Sequence, residues 1–473
     1  MASKNISFDT ILASIRKPGK YFEFNTRFAV RTLPSNLQRM LIIGQRLVAG
    51  TVAALVPTQV FSDAEAADYF GHGSLAHLMC RAAITANRYL DLTVIALDDA
   101  ETAVAASGTL TITGPATTSG TLGLSIGSQR VELGVASGDT AAAIAAALVT
   151  ELAKYPALPV TAAAALGVVT FTAKNKGTVA NQIDLLADCT AKGVAATVAA
   201  MAGGSVDPTL STALAKVFAE QYHVVATPYN DQTNLTTLRD HLDAVSGSME
   251  QRGAVGVYGF DGALASATTL AGQVNHGRVV PVYLRGTKSP AFDIACAFGA
   301  VAAYEEDPAM PLNDLELKGI SAPPIDQRLS RTEQENCLNN GVTPLEVGPG
   351  EKVQIVRAIT SYTKDPQGIT DISLLDMTTI RTLDYVRLAC RTRISLRFPR
   401  SKLSSKIPAR VRTELIDVLF KLEELEIVEN VADNIAGIIV ERDLQDPNRL
   451  NAKIPVDVVN GLHVFAGRID LLL

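Results

Sequence analysis

The middle of the chain alternates short apolar runs with longer mixed ones, and this stretch decides the fold. The apolar runs are HVVAT at His223–Thr227, AVGVY at Ala254–Tyr258 and VVPVYL at Val279–Leu284. Between them lie Leu235–Gly247 and Ala263–Asn275, which we interpret as helices. Short apolar strands that alternate with helices are typical of a parallel or mixed sheet covered by helices. The sequence therefore predicts an α/β core.

The same alternation begins nearer the N-terminus. Met40–Ile43 and Leu92–Leu97 are apolar and strand-like, and a helix over about Leu75–Tyr89 is expected between them. An earlier helix is expected to begin after Ser62, because Glu65 three positions later completes the pattern of a capping box. This order of elements assigns residues 34–100 to the same α/β core as the central stretch.

Residues 101–204 differ in character from the sequence on either side. Only 11 of these 104 residues are charged, and glycines separate several strand-like runs. The predicted elements are strands at Thr109–Thr113, Leu122–Ile126, Arg130–Val135 and Val168–Ala173 and a helix at Thr140–Lys154. We therefore predict an inserted, surface-exposed α+β module that is rich in β structure, with the core resuming over residues 205–375.

The remaining segments are assigned from turn signals and periodicity. Residues 305–350 are Pro-rich and expected to be irregular, and Lys352–Thr360 alternates as a strand. In a C-terminal α+β domain over 376–453, Arg410–Glu426 has the apolar spacing of an amphipathic helix. Asn460-Gly461 between apolar runs predicts a hairpin within a C-terminal β arm over 454–473.

Composition excludes several classes of protein. The chain has 473 residues, of which 47% are hydrophobic and 19% charged, with a net charge of −6. This content rules out a disordered polypeptide and is enough for about two to four domains. Apolar stretches are interrupted by Gly, Pro and Thr, so no membrane insertion is expected. The five cysteines are far apart, which favours buried thiols over a disulfide framework or a zinc site.

Catalytic signatures are sparse. Gly286-Thr-Lys-Ser289 resembles the end of a phosphate loop but lacks the upstream glycine. Gly71–His77 contains two histidines and a serine, yet Ser74 is better interpreted as a helix N-cap. Asp261, Asp293 and Asp307 are each candidates for sheet-end ligand sites. An α/β enzyme with an unrecognised active site stays open as an alternative, with no catalytic, cofactor-binding or metal-binding residue assigned.

A basic block is followed directly by an acidic one near the C-terminus. Nine Arg or Lys and no acid lie between Tyr385 and Thr413, and ten acids and two bases lie between Glu414 and Asp446. Residues 387–412 could bind nucleic acid through phosphates, but the net negative charge and the adjacent acids favour a protein interface. The residues predicted for this charged interface are Arg391, Arg393, Arg397, Arg400, Glu423, Glu424, Glu426 and Glu429.

The two chain ends suggest strand exchange between subunits. Lys20–Thr26 reads as a strand with no hairpin partner nearby, within an extended N-terminal arm over 1–33. A strand without a hairpin partner adds to an edge elsewhere, in its own chain or in another, and donation from one chain to the next produces rings or filaments. The residues predicted to take part are Lys20, Tyr21, Phe22, Glu23, Phe24, Leu462, His463, Val464, Phe465, Ile469 and Leu471.

Several motifs resemble one known family. The C-terminal series includes Arg397-Phe-Pro-Arg-Ser-Lys-Leu403, Asp446-Pro-Asn-Arg449 and Val458-Val-Asn-Gly-Leu462, and the middle carries Gly341-Val-Thr-Pro-Leu345. Together with Arg16-Lys-Pro-Gly-Lys-Tyr-Phe-Glu23, these motifs resemble the tail sheath proteins of Mu-like contractile-tailed bacteriophages. The resemblance covers both ends and the Pro-rich middle, in the same order.

The resemblance implies a structural subunit rather than an enzyme, with a core of subtilisin-like shape. It implies stacked hexameric rings around a tail tube, joined by terminal arms, that contract to drive the tube through the host envelope. The partners would be copies of the same chain, the tube protein and the baseplate and terminator proteins, with no nucleic acid and no cofactor. The location would be the phage tail, after assembly in the host cytoplasm. The residues expected to contact the tube are Arg410, Arg412, Glu414 and Lys421.

Overall fold

A computed structural model describes residues 16–22 and 33–472 of the chain. The strands are β1 (Arg39–Gln45), β2 (Thr58–Gln59), β3 (Asp91–Leu97), β4 (Ser107–Thr113), β5 (Gly120–Ile126), β6 (Gln129–Val135), β7 (Val160–Ala165), β8 (Val168–Ala173), β9 (Leu185–Cys189), β10 (Ala195–Ala202), β11 (Val224–Thr227), β12 (Val255–Phe260), β13 (Val279–Tyr283), β14 (Thr343–Gly348), β15 (Lys352–Ile355), β16 (Val428–Glu429), β17 (Ile439–Arg442), β18 (Leu450–Lys453) and β19 (Asp457–Val458).

The helices follow the same chain order. They are α1 (Asp63–Phe70), α2 (Leu75–Ala86), α3 (Ala141–Leu152), α4 (Ser211–Val217), α5 (Gln232–Ser246), α6 (Leu264–Val274), α7 (Ala291–Tyr304), α8 (Arg331–Asn339), α9 (Met377–Arg397), α10 (Ile407–Glu424) and α11 (Val431–Asn434). No helix in the described part of the chain combines the length and apolarity needed to cross a membrane.

The central sheet has eight strands in the order β15-β14-β13-β12-β11-β1-β3-β2. The six inner strands are parallel, while the edge strands β2 and β15 are antiparallel to their neighbours. Ile42 of β1 lies between Val94 of β3 and Ala226 of β11, and all three side chains are buried. Strands covered on both faces are apolar throughout, which explains the apolar runs in the sequence. The α/β class predicted from those runs is confirmed.

Two glycines of β12 show that helices cover both faces of this sheet. A Cβ on Gly256 would meet Leu238 and Leu242 of α5, whereas a Cβ on Gly259 would meet the backbone of Ala291 in α7. Positions three apart in a strand point to opposite faces, so α5 and α7 lie on opposite sides. Helix α6 packs with α5, and α2 packs with α7.

The inserted module has its own core between two antiparallel sheets. One sheet has the order β10-β4-β8-β7 and the other β6-β5-β9, and α3 packs beside them. Asn175 fastens the module to the large sheet's domain: its side-chain oxygen accepts from Leu75 N at 2.8 Å, and its nitrogen donates to Arg46 O at 2.9 Å and to Asp99 at 3.1 Å. The module is thereby held at the end of β1 and the start of α2.

The C-terminal region is built on α9 and α10. Val411, Leu415, Val418, Leu419 and Leu422 form the buried face of α10, as their spacing predicts. Two small antiparallel sheets, β16-β19 and β17-β18, complete the region. Val428 of β16, Val440 of β17 and Leu450 of β18 pack with α10 in a separate hydrophobic cluster.

Three local predictions are wrong. Asn460-Gly461 does not form a hairpin: β19 pairs with β16, and residues 459–472 contain no strand. The Pro-rich segment 305–350 is not irregular throughout, because it contains α8 and β14. The strand predicted over Lys352–Thr360 ends at Ile355. The β16–β19 pairing joins distant parts of the chain, which local signals do not report, whereas α8 begins with a local signal, the capping box of Ser330 and Glu333.

Candidate functional site

The last residues of the chain expose apolar side chains in an extended segment. Leu462, Val464 and Phe465 are 80%, 78% and 86% exposed, and Ile469 and Leu471 are 98% and 82% exposed. Burying a side chain of this size stabilises a protein by roughly 1.5–3 kcal/mol. We define residues 459–472 as the C-terminal segment; its exposed apolar side chains favour burial against another surface.

The C-terminal segment is attached at its beginning. His463 Nδ1 lies 3.0 Å from the Asn313 side-chain nitrogen, and His463 Nε2 lies 3.6 Å from Asp376 Oδ1. Burial and the charge of Arg357 lower the pKa of His463, against the attraction of Asp376. Of the predicted strand-exchange residues in this segment, His463 is therefore held within its own chain, and the apolar ones around it are exposed.

The N-terminal part of the predicted arm is described only in part. Lys20, Tyr21 and Phe22 are exposed and form no strand, and Phe22 is 88% exposed. The Tyr21 hydroxyl donates to Lys17 O at 3.0 Å. Glu23 and Phe24 lie outside the described residues.

The β17-β18 sheet offers edges for an added strand. It has two strands, paired from Ile439 opposite Lys453 to Arg442 opposite Leu450. Within residues 16–22 and 33–472, no further strand pairs with either outer edge. Isolated two-stranded sheets are marginally stable, and additional strands stabilise them. This sheet, together with β16-β19, is a candidate acceptor for a terminal segment.

One side of α9 attaches the C-terminal region to the core. Asp384 receives two hydrogen bonds from Arg278, at 2.7 and 2.9 Å, and one from Arg387 at 2.7 Å. Arg387 also donates to Ser246 O at 2.7 Å, at the C-terminal end of α5. Arginines at helix C-termini are favourable because they satisfy carbonyls there and complement the helix dipole.

The opposite side of α9 pairs with α10. Arg393, which is 4% exposed, lies 2.7 Å from Asp417 and 3.1 Å from Glu414. Arg397 lies 3.4 Å from the same Glu414 oxygen. Three arginines of the basic block are therefore paired with acids of the same chain: Arg387 with Asp384 of α9, and Arg393 and Arg397 with acids of α10.

The predicted charged interface is accordingly divided. Arg393 and Arg397 form the ion pairs just described, Arg391 donates to Gln251 at 3.3 Å, and Glu423 accepts from Val431 N at 2.9 Å. The predicted interface residues that lie exposed on the surface are Arg391, Arg400, Glu424, Glu426 and Glu429.

The four predicted tube-contact residues have intrachain contacts of their own. Arg412 donates to the carbonyls of Ile435 and Ile438, both at 2.7 Å. Glu414 pairs with α9, and Lys421 lies 3.5 Å from Asp417. Arg410 is exposed with its guanidinium 5.8 Å from the Phe398 ring centre.

Ser74, His77 and Asp63 lie together but have structural contacts. The Ser74 hydroxyl accepts from His77 N at 3.1 Å, which is an N-cap contact, as predicted. His77 Nδ1 accepts from Gly73 N at 3.0 Å and its Nε2 faces Asp63 at 3.0 Å. A serine nucleophile and its base must lie within hydrogen-bond distance of each other. Both ring nitrogens of His77 face other groups, so His77 does not serve as a base for Ser74.

The remaining candidates for a ligand site are the Gly286–Ser289 loop and three aspartates. Thr287 donates to Ser321 O at 2.6 Å and the Ser289 hydroxyl accepts from Ser321 N at 2.9 Å, so the Gly286–Ser289 loop is closed onto a neighbouring segment. Burial raises the pKa of Asp261 to about 6 and that of Asp293 to about 7. Asp307 accepts from Ala309 N at 2.9 Å.

Comparison with known proteins identifies related chains. Residues 134–361 match a family model described as the phage tail sheath protein central domain, and residues 370–471 match one described as the phage tail sheath C-terminal domain. The chain is 32% identical to the Mu-like prophage FluMu tail sheath protein of Haemophilus influenzae, over 99% of this chain and 100% of that one.

Solved structures share the fold at low sequence identity. The crystal structure of a sheath tail protein from Listeria innocua has a TM-score of 0.53 at 12% identity, covering 92% of this chain and 95% of that one. A helical sheath of the anti-feeding prophage, in the contracted state, has a TM-score of 0.50 at 11% identity, covering 96% and 98%.

Proposed function

The chain belongs to the phage tail sheath family, a family of structural proteins rather than enzymes, and on that premise we propose how it assembles. Copies of the chain form stacked hexameric rings around a tail tube. Terminal segments pass from each subunit to its neighbours and add strands to their sheets. Contraction of the assembly drives the tube through the host envelope during genome delivery.

The observation that carries this proposal is the exposed apolar C-terminal segment. Covering its apolar side chains with another surface lowers the free energy, and within residues 16–22 and 33–472 its backbone has no strand partner. The β17-β18 sheet has the complementary property, namely open edges. A strand donated by a second copy covers the exposed apolar side chains and pairs with an open edge of the sheet. The same pairing repeated along the tail gives a polymer.

The surface charges refine which residues meet a neighbour. Because Arg393 and Arg397 pair with α10, we assign the charged contact between subunits to Arg400, Glu424, Glu426 and Glu429, with Arg391 and Glu423 at its border. Arg410, on the exposed surface of α10, is our choice for a tube contact. Arg412, Glu414 and Lys421 support it by holding α10 in place.

Contraction requires no cofactor under this proposal. The extended sheath is a kinetically trapped arrangement that relaxes to a lower free energy when subunits repack. Hydrogen-bonded strands persist through the change while linkers beside them flex. The tube protein, baseplate and tail terminator are the other partners, and the assembled protein resides in the phage tail after assembly in the host cytoplasm.

Electron microscopy of purified protein tests strand exchange. Full-length protein should form tubes or large polymers, whereas Val464→Ser combined with Phe465→Ser should leave folded, unassembled subunits. Arg468→Ala is the matched control, since Arg468 is in the same segment, contacts Asp470 and is exposed. Polymers of the double variant as abundant as those of the control would refute the assigned role of the segment.

A further inference from the structure

A polar cavity lies where α9 meets the N-terminal ends of β1, β11 and β12. Its volume is about 60 Å³, and its lining includes Gln38, Gln221, His223, Arg381 and Arg391. One water molecule needs roughly 10–15 Å³ of such space. The cavity therefore has room for on the order of four waters, or for one carboxylate or phosphate group.

Arg381 brings a buried cationic group to this cavity. Its side chain is 8% exposed, and its Nη2 donates to the carbonyl of Glu305. Its Nη1 is buried and has no acceptor among the described residues. Burial lowers the pKa of Arg381 to about 10, although Glu305 and Asp307 act in the opposite direction. A buried guanidinium nitrogen without an acceptor is costly, and an oxygen ligand would remove that cost.

The nearest carboxylates already have partners. Asp384, which also lines the cavity, accepts three hydrogen bonds of 2.7–2.9 Å from Arg278 and Arg387, so two cations offset its charge. Glu305 accepts from Asp307 N at 3.1 Å, and Asp307 accepts from a backbone amide at 2.9 Å. The hydrogen bond from Arg381 to Glu305 ends on the backbone carbonyl and not on the carboxylate.

His223 adds a neutral donor. Its Nδ1 accepts from Arg39 N at 3.0 Å, which places the ring proton on Nε2. Burial, followed by the charges of Arg381 and Arg39, lowers the pKa of His223 to about 4. The ring is therefore uncharged at neutral pH and presents an N–H. Arg391 is exposed at the rim and reaches Gln251 at 3.3 Å.

We propose that this cavity is a binding site for an oxyanion of carboxylate or phosphate type. The Arg381 guanidinium is its buried donor, His223 Nε2–H a second donor and Arg391 a charged donor at the rim. The ligand is either a free inorganic anion or an acidic side chain from a second copy of the chain. Both present negatively charged oxygens that accept hydrogen bonds from guanidinium groups.

Titration of unassembled full-length protein with inorganic phosphate tests the site. Calorimetry at constant ionic strength should show saturable binding, and phosphate should raise the pKa of His223, followed by NMR of the ring protons. Arg391→Met should weaken binding at least tenfold, and Arg381→Met should abolish it. Arg391 is exposed, so its variant remains informative if the Arg381 variant fails to fold. Arg410→Met is the control and should bind phosphate as the wild type does.

The source of the anion is distinguished by repeating the titration on assembled protein, an arm that rests on the proposed function. Binding to subunits but not to polymers identifies a neighbour's carboxylate as the ligand, whereas equal binding to both identifies a free ion. Absence of saturable binding to both forms, or binding that Arg391→Met leaves unchanged, would overturn the proposal. Phosphate binding to subunits can be measured even if the protein does not polymerise. Failure of the anion site and failure of the proposed assembly are therefore distinguishable.

Discussion

Replacing Asp293 by Asn tests how a buried carboxyl affects the joint between the core and the inserted module. Asp293 lies in the first turn of α7, beside a cavity of about 180 Å³ that Arg81 and Lys154 also line. Its Oδ1 is buried and has no hydrogen-bond partner among the described residues. Burial raises its pKa from 3.8 to about 7, against the attraction of Arg81.

The size of the expected stability change follows from the shift in the pKa of Asp293. Each pKa unit corresponds to about 1.4 kcal/mol, so a shift of roughly three units corresponds to about 4 kcal/mol as an upper value. The folded protein keeps the Asp293 proton to a higher pH than the unfolded chain does. Stability from this group is therefore complete below about pH 4 and is lost as the pH rises to about 7. Asn cannot titrate, so Asp293→Asn should gain stability relative to wild type over that interval.

Denaturant unfolding of unassembled protein at several pH values measures this gain. The difference in free energy of unfolding between Asp293→Asn and wild type should be small at about pH 4 and should rise by up to about 4 kcal/mol by pH 8. Asp68→Asn, at an exposed position of α1, is the matched control. A difference for Asp293→Asn that is constant with pH would refute the reasoning.

Two further substitutions test the packing that the structure shows. Arg393→Met should destabilise the protein by roughly 3–5 kcal/mol, because two carboxylates of α10 lose their buried partner; Arg393→Lys should lose less, and equal losses in thermal or denaturant unfolding would contradict the account. Gly259→Ala should destabilise by at least about 1–3 kcal/mol, because its Cβ meets the backbone of Ala291. Gly134→Ala, where a Cβ meets nothing, is the control and should stay within about 0.5 kcal/mol of wild type.

The parallel strands could be predicted from sequence because both faces of the sheet are covered. Val279–Tyr283 and Met40–Ile43 are apolar for this reason, and these local apolar runs indicate buried strands directly. Helix α10 has a single apolar face, so its residues show helical spacing. Helix α9 was not predicted, because its buried positions include Arg381 and Arg393, which break the apolar pattern. Charged residues inside an interface are recognisable only when their partners are known.

The candidate site was harder to predict for a related reason. The basic and acidic blocks suggested contact between subunits, but α9 and α10 follow each other in the chain and place Arg393 beside Asp417. Opposite charges on two consecutive, packed helices form ion pairs within one chain, so they are already paired when subunits associate. The Asn460-Gly461 signal failed because the short β19 strand instead pairs with β16. The proposed role of the C-terminal segment in assembly rests on its exposure, which local signals do not report.

Electron microscopy of the full-length chain beside a chain ending at residue 458 tests the central claim most directly. The account predicts tubes or stacked rings for the full-length chain, and folded, unassembled subunits for the shortened one. The shortened chain should unfold at nearly the same denaturant concentration as the full-length subunit, since the removed side chains are mostly exposed. Tubes formed equally well by the shortened chain would contradict the claim that the C-terminal segment joins the subunits.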